Sequence, residues 1–264
     1  MQLLKKIFIS VLGISTLLVS SAFGADSTNP DRVFIKDLEG IWMDKTYLAA
    51  LRETKSPLAA SKKAVPFVIA IRKEGKVHPY FATDFKNATL MVVFDVEPDK
   101  KEHSYRIVLG KNNQPTSAEE VVYVWFKGKR AADGQFRALE IKEPLVRKGK
   151  WAHYERIGRD LGPSLNSIVI TGKYRDQNGK TWEFGDKGMI KTPSENPSYF
   201  ELSLIGESGS CDYLEVEDLK SKTGLRYYGF GWTKDGVLNL YKAKLKGEKV
   251  ICDKDPFTRL KKTS

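Results

Sequence analysis

The feature that most restricts this chain is its punctuation. From residue 65 onward, short runs rich in β-branched and aromatic residues alternate with polar turns, and two of those turns read Asn178-Gly179 and Asp235-Gly236. Asn-Gly and Asp-Gly accept the positive φ angles of two-residue loops whose twist matches that of paired strands, so each predicts a hairpin. The runs at residues 65–72 (VPFVIAIR), 90–96, 104–109, 121–127 (VVYVWFK) and 135–141 read as strands. A second group follows at residues 167–175, 180–185, 199–205, 225–232 (LRYYGFGW) and 237–245. About ten strands in mostly consecutive hairpins, with little helix after residue 60, predict an all-β fold: an antiparallel meander closing as a barrel, or two packed sheets.

The faces of these strands add detail. In residues 121–127 one face holds Val121, Tyr123 and Trp125 and the other Val122, Val124 and Phe126. Neither side is polar, which predicts a central strand covered on both faces. In residues 237–245, Val237, Tyr241 and Leu245 share one face, with Lys242 and Lys244 on a solvated other. In residues 227–232, glycines at 229 and 231 leave one face nearly bare, open to a backbone, a cross-strand ring or a ligand. An outer-membrane barrel would need strands of about ten residues with an unbroken apolar outer face, and lysines and arginines interrupt too many of these runs.

Residues 1–24 have the layout of a cleavable export signal: Lys5 and Lys6, an apolar run at residues 7–19, and small residues around Ala22 and Gly24. The expected product, residues 25–264, is a single β-rich domain, because no linker or repeat divides it. It is expected to be periplasmic or secreted, with no transmembrane anchor. Export makes Cys211 and Cys252, the only two cysteines, a natural disulfide pair. The formal charge is +11, and removing Lys5 and Lys6 lowers it to +9. That excess favours anionic partners, a lipid-like or other small anion or an acidic envelope component, through attraction that salt weakens. The basic clusters, such as Lys127-Gly128-Lys129-Arg130, are short and read as solvated loops, and no nucleic-acid motif accompanies them.

Within residues 37–51 (DLEGIWMDKTYLAAL), Gly40-Ile41-Trp42 at the first strand resembles the Gly-x-Trp of the calycin group, the lipocalins and fatty-acid-binding proteins. The resemblance implies a closed barrel with Trp42 packed across its closed end and a short helix after the first strand. Asp44 can cap that helix, and Tyr47, Leu48 and Leu51 fall on one face. Pro57 is expected to end the pattern. Thr83-Asp84-Phe85 is similar to the Thr-Asp-Tyr type motif of lipocalins, but follows Trp42 by only about 40 residues, earlier than that family's pattern places it.

The chain carries little that points to catalysis, and no catalytic residue, metal site or cofactor is predicted. His78, His103 and His153 stand in no metal-ligand spacing, and Gly206-Glu207-Ser208-Gly209-Ser210 lacks the setting of a nucleophile elbow. Asp176, Asn178 and Glu183 alternate like calcium ligands, yet a hairpin accounts for Asn178 and Gly179. What remains is a wealth of rings and two interrupting arginines. Trp42, Tyr123, Trp125, Tyr227 and Tyr241 can fill a core or line a cavity, and Arg72 and Arg106 can point inward to pair with a ligand's carboxylate or phosphate. The leading expectation is an exported, non-enzymatic protein holding a small apolar or amphipathic anionic ligand in a barrel-like interior. A basic-surfaced envelope interaction module and a hydrolase whose site assembles only in the fold are the alternatives.

Overall fold

A computed structural model describes residues 33–72, 80–83, 89–110, 121–142, 149–193, 197–202, 210–218, 225–247 and 249–263. The expected export signal at residues 1–24, His78, Asp84, Phe85 and Ser208 lie outside the described residues. Residues from Val33 to Ser264 form one compact unit.

The chain is mostly β, and its first part is a closed antiparallel barrel. The strands β1 (Gly40–Asp44), β2 (Val68–Arg72), β3 (Tyr80–Thr83), β4 (Thr89–Asp99), β5 (Ser104–Gly110), β6 (Val121–Lys127), β7 (Ala138–Lys142) and β8 (Trp151–Gly158) pair in sequence order. β1 then pairs with β8 and closes the ring, with Met43 opposite Glu155 and Asp44 opposite Tyr154. Inward side chains include Ile69, Ile107, Val124, Phe126, Leu139 and Tyr154, all at most 3% exposed. Trp42 is fully buried among them, and its Nε1–H donates to the Leu38 carbonyl at 2.8 Å, at the end of the short helix α1 (Ile35–Leu38).

β9 (Gly172–Arg175), β10 (Thr181–Phe184), β11 (Met189–Lys191), β12 (Ser198–Leu202), β13 (Asp212–Asp218) and β14 (Leu225–Trp232) also follow sequence order. β15 (Val237–Lys246) pairs β14 along one edge; its other edge pairs β16 (Lys249–Cys252) at one end and β17 (Thr258–Lys262) at the other. β17 returns to β9, so this curled sheet also joins end to end, with β16 as a side branch. Aromatic rings fill its inside: Phe184 stands edge-on to Tyr174 at 5.6 Å and to Phe200 at 5.7 Å. Edge-to-face rings of this kind add about 0.5–1.5 kcal/mol per pair beyond their area burial.

The helix after the first strand is present. In α2 (Lys45–Thr54), Asp44 Oδ1 accepts from the Thr46 and Tyr47 amides at 2.9 and 3.1 Å, while Tyr47, Leu48 and Leu51 are buried. Pro57 does not merely end the pattern. Lys55 turns the chain with φ 49°, and Pro57 opens a further helix, α3 (Pro57–Lys63), capped by Ser56. Proline is suited to the first helical position because its missing N–H has no partner there in any case. Residues 167–175, expected to be a strand, split into the end of helix α4 (Leu161–Val169) and β9. Leu161, Leu165 and Val169 recur at helical spacing, and the β-branched Ile168-Val169-Ile170 run concealed that period.

β1 is buried on both faces. Trp42 faces the barrel, whereas Ile41 and Met43 join Val68, α2 and α4 in the core of the second ring. Each of the two outward apolar side chains contributes about 1.5–3 kcal/mol by burial. One strand therefore feeds both cores.

Candidate functional site

The structure brings together only some of the side chains singled out above. Trp42 lies in the barrel interior. Arg72 extends from β2 on the face of Val68 and Ala70, opposite to the inward Ile69 and Ile71. Its Nη2 donates to the Arg159 carbonyl at 2.9 Å and to the Asp160 carboxylate. Arg106, Tyr123 and Trp125 share the outer face of β5 and β6, because Ile107, Leu109, Val124 and Phe126 point inward. There Glu97, Arg106, Trp125, Lys142 and Trp151 stand directly opposite one another across five strands. Arg106 pairs with Glu97 at 2.7 Å and lies 4.8 Å from the Tyr123 ring centre, and Trp125 Nε1–H donates to Asp99 at 2.8 Å. Among the described residues, the Arg106 guanidinium and the Lys142 ammonium lie over the Tyr123 and Trp125 rings on the outer face of residues 121–127. The row is paired within itself.

Tyr227 and Tyr241 lie on the outer face of the second ring. The bare face of residues 227–232 takes a neighbour. A Cβ on Gly229 would fall 2.1 Å from Cys252 Sγ and 3.3 Å from Tyr241 Cβ, and one on Gly231 would meet the Tyr241 ring at 3.8 Å. Cys211 and Cys252 form a disulfide with Cα atoms 6.3 Å apart, so glycine makes room for the bridge. The predicted face of residues 237–245 is reversed at its start: Leu238 and Leu240 point inward, while Val237 and Tyr241 take the outer face and Leu245 is 51% exposed. Two buried leucines decided the orientation over the lysines that follow them.

The positive charge concentrates elsewhere, in a cleft of about 760 Å³ outside the first barrel. Ala138 is exposed in it, the inward Leu139 and Tyr154 close its base where β6 leaves β7, and its rim carries Lys45, Lys127, Lys129, Arg137 and Arg156 against Glu140 and Glu155. Local chain geometry builds it. β6 pairs with β7 over only three residues and then departs into the loop around Gly128, where a Cβ would lie 2.7 Å from Leu139 Cδ2. Arg130 anchors that loop, its Nη2 donating to Asp37 at 2.9 Å and its Nη1 to the Gly134 carbonyl at 3.0 Å. The cluster expected to be a solvated loop is thus tied down at Arg130, with Lys127 and Lys129 at the rim.

Arg156 adjoins a second cleft of about 440 Å³ with Lys36, Arg72 and Arg159 opposite Glu39 and Asp160. Its guanidinium donates to Gln135 Oε1 at 2.8 Å and to the Glu39 carbonyl. Burial lowers its affinity for a proton, and Arg137 and Arg159 lower it further. Carboxylates offset part of this crowding, since Arg137 pairs with Asp133 and Arg72 with Asp160. Arg156 was missed in the sequence because residues 151–158 were not read as a strand, Lys129 was read as part of a solvated loop, and Lys45 and Arg137 were not singled out. The signal for Arg156 was the alternation of Ala152 and Tyr154 with Trp151, His153 and Glu155.

A hydrolytic centre finds little support in the same cleft. His153 Nδ1 is 3.9 Å from Glu140, but its side chain is 72% exposed, and Tyr154 beside it turns into the barrel. In the Asp176 loop, the carboxylate that could serve calcium accepts the Asn178 and Lys180 amides, both at 2.9 Å, as a hairpin requires. Compared with protein families, with curated proteins and with solved structures, the chain finds no match in any of the three.

Proposed function

We propose that this chain is an exported, non-covalent binding protein whose ligand is an amphipathic anion held in the outer cleft of the first barrel. The observation that carries the reading is the cationic rim of Lys45, Lys127, Lys129, Arg137 and Arg156 around the exposed Ala138 and the base closed by Leu139 and Tyr154. The space falls within the usual range of small-ligand sites, and the pattern of apolar lining with a few placed charges is what such sites use. Guanidinium groups suit a carboxylate or phosphate head, and no nucleophile or proton transfer is required.

The closed meander and the buried Trp42 support a calycin-like reading of the first barrel. The ligand would sit outside that barrel, because the described inward side chains already pack its interior. The disulfide supports export to an oxidising compartment. The neighbouring cleft of Lys36, Arg72 and Arg159 extends the basic surface past Arg156 and favours, as a second reading, docking of a larger acidic envelope partner.

Calorimetric titration with octyl phosphate tests the first reading, with octyl glucoside as the uncharged control. Saturable binding of the phosphate alone is expected, weakening as salt rises from about 20 to about 300 mM. Lys129→Glu combined with Arg137→Glu should weaken it at least about tenfold, since both residues are exposed and the change reverses the local charge. Equal binding of the glucoside, or no effect of the double reversal, would refute the reading.

A further inference from the structure

The second ring carries a cleft of opposite character. α4, the turn at Lys187 and Gly188, and strands β12, β13 and β14 wall a space of about 370 Å³. Among the described residues that line it, Glu201, Glu215 and Glu217 stand against one cation, Lys187, in a chain whose formal charge is +11. Glu201 and Glu215 stand directly opposite each other across β12 and β13, an arrangement that like-charge repulsion penalises. Leu161 and Pro163 give the cleft an apolar side, and Tyr199 and Leu225 line it while remaining 46% and 41% exposed.

A separate observation points to a donor that belongs there. Asn166, in the cleft wall, is 3% exposed. Its Nδ2 donates to the Asp186 carbonyl at 2.9 Å, which fixes the amide orientation, and its Oδ1 is buried with no partner. A buried acceptor left unmade costs stability until a donor reaches it. Burial and the neighbouring Glu201 also hold the Glu215 carboxyl above its ordinary range, the state of a carboxylate that lacks a cation.

We propose that this cleft is a second binding site, for an amphipathic primary amine, whose ammonium faces Glu201 and Glu215 with Asn166 Oδ1 as a further acceptor. An ammonium has three donors and no acceptor, which matches two carboxylates and one amide oxygen. The apolar body lies along Leu161, Pro163 and Leu225, where the Tyr199 ring supplies a stacking face. The site is distinct from the anion cleft of the first barrel, and the two are tested independently.

The probes are phenethylamine and its charge-inverted counterpart 3-phenylpropionate, titrated against the full chain by calorimetry, with thermal unfolding followed in parallel. Saturable binding of the amine and none of the acid is expected. Glu215→Gln should reduce amine affinity roughly tenfold, the size expected for losing one partly buried charge contact. Because that substitution also removes a like-charge repulsion, it should raise the Tm of the free protein, so loss of binding cannot be ascribed to unfolding. Asn166→Leu, which deletes the orphaned acceptor, should weaken the amine while leaving octyl phosphate binding unchanged. Absence of amine binding, equal binding of 3-phenylpropionate, or a Glu215→Gln variant that binds the amine as the unaltered chain does would overturn the proposal.

Discussion

The two β-rings of this molecule solve the same problem with different closures. In the first, eight strands follow one another and the ring shuts when β8 meets β1, the strand with which it began. In the second, β15 holds β14 on one edge and divides the other between β16 and β17, and the last strand completes the circuit at β9. The first closure is secured by burial, since β1 contributes Trp42 to one core and Ile41 and Met43 to the other. The second is braced by a covalent bond, Cys211 to Cys252, which ties β16 to the start of β13. Closure removes the exposed edges that invite aggregation, fully in the first ring, whereas in the second the side branch β16 pairs only β15.

The largest test of this contrast is Trp42→Ala. The ring is fully buried and its indole N–H holds the Leu38 carbonyl, so truncation should cost about 3–5 kcal/mol, read as a lower urea midpoint. Because β1 serves both cores, unfolding should remain a single transition by fluorescence and by far-ultraviolet circular dichroism. A variant in which the second ring unfolds separately, at the unaltered midpoint, would show that the shared strand does not couple the cores.

The brace of the second ring comes next. Replacing both cysteines by alanine should cost about 2–4 kcal/mol for a bridge closing a sequence separation of 41. Gly229→Ala should cost a similar amount while the bridge is present, because its Cβ would sit 2.1 Å from Cys252 Sγ. In the alanine pair the same change should cost about 1 kcal/mol or less, since the sulfur is gone and the next nearest atoms, the Cβ of residue 252 and of Tyr241, stand at 3.2 and 3.3 Å. A double-mutant cycle measures that coupling. Additive costs would mean that the glycine serves sheet curvature and not the disulfide.

These two braces also mark how far the sequence was legible. Asn178-Gly179 and Asp235-Gly236 stand at hairpins, though in longer loops than two residues, between paired Arg175 and Thr181 and paired Trp232 and Leu238, with positive φ at Gly179 (75°) and Gly236 (76°) and not at the residue before each, and residues 121–127 and 225–232 are strands to the residue. Strands such as β13 and β17 mix charged residues with a few buried ones, so their period is short and weak, and only tertiary pairing defines them. The site was harder still. Rings and inward arginines were the visible candidates, yet on the outer face Arg106 is held by Glu97 and the Tyr123 ring, and Trp125 donates to Asp99. The cationic rim gathers Lys45, Lys129, Arg137 and Arg156 from α2, the loop after β6, the segment before β7 and β8. Consecutive pairing of β6, β7 and β8 brings the last three together, and the closure of β1 on β8 adds Lys45, which no local pattern announces.

The smallest expected effect sharpens the electrostatic side of the comparison. Arg156 in the first ring and Glu215 in the second are each disfavoured in their charged form by burial first and by like charges second. The guanidinium stays protonated across the accessible range, whereas the carboxyl titrates. Around Glu215 stand Glu201 on β12, Glu217 on its own strand, Tyr227 on β14 and Lys187 in the turn across the cleft. Tyr227 is itself raised, by burial and then by Glu215. Because the folded state holds Glu215 above its ordinary value of 4.5, its favourable contribution is complete below that pH and is lost as pH rises through the raised value. Glu215→Gln should therefore match the unaltered chain below about pH 4.5 and exceed it in Tm above, by an amount worth less than about 1 kcal/mol after solvent screening. A variant that loses Tm at neutral pH would show that the carboxylate is satisfied within the fold, and the opposed pair of glutamates would then be a structural contact of the second ring rather than a charge awaiting its counterion.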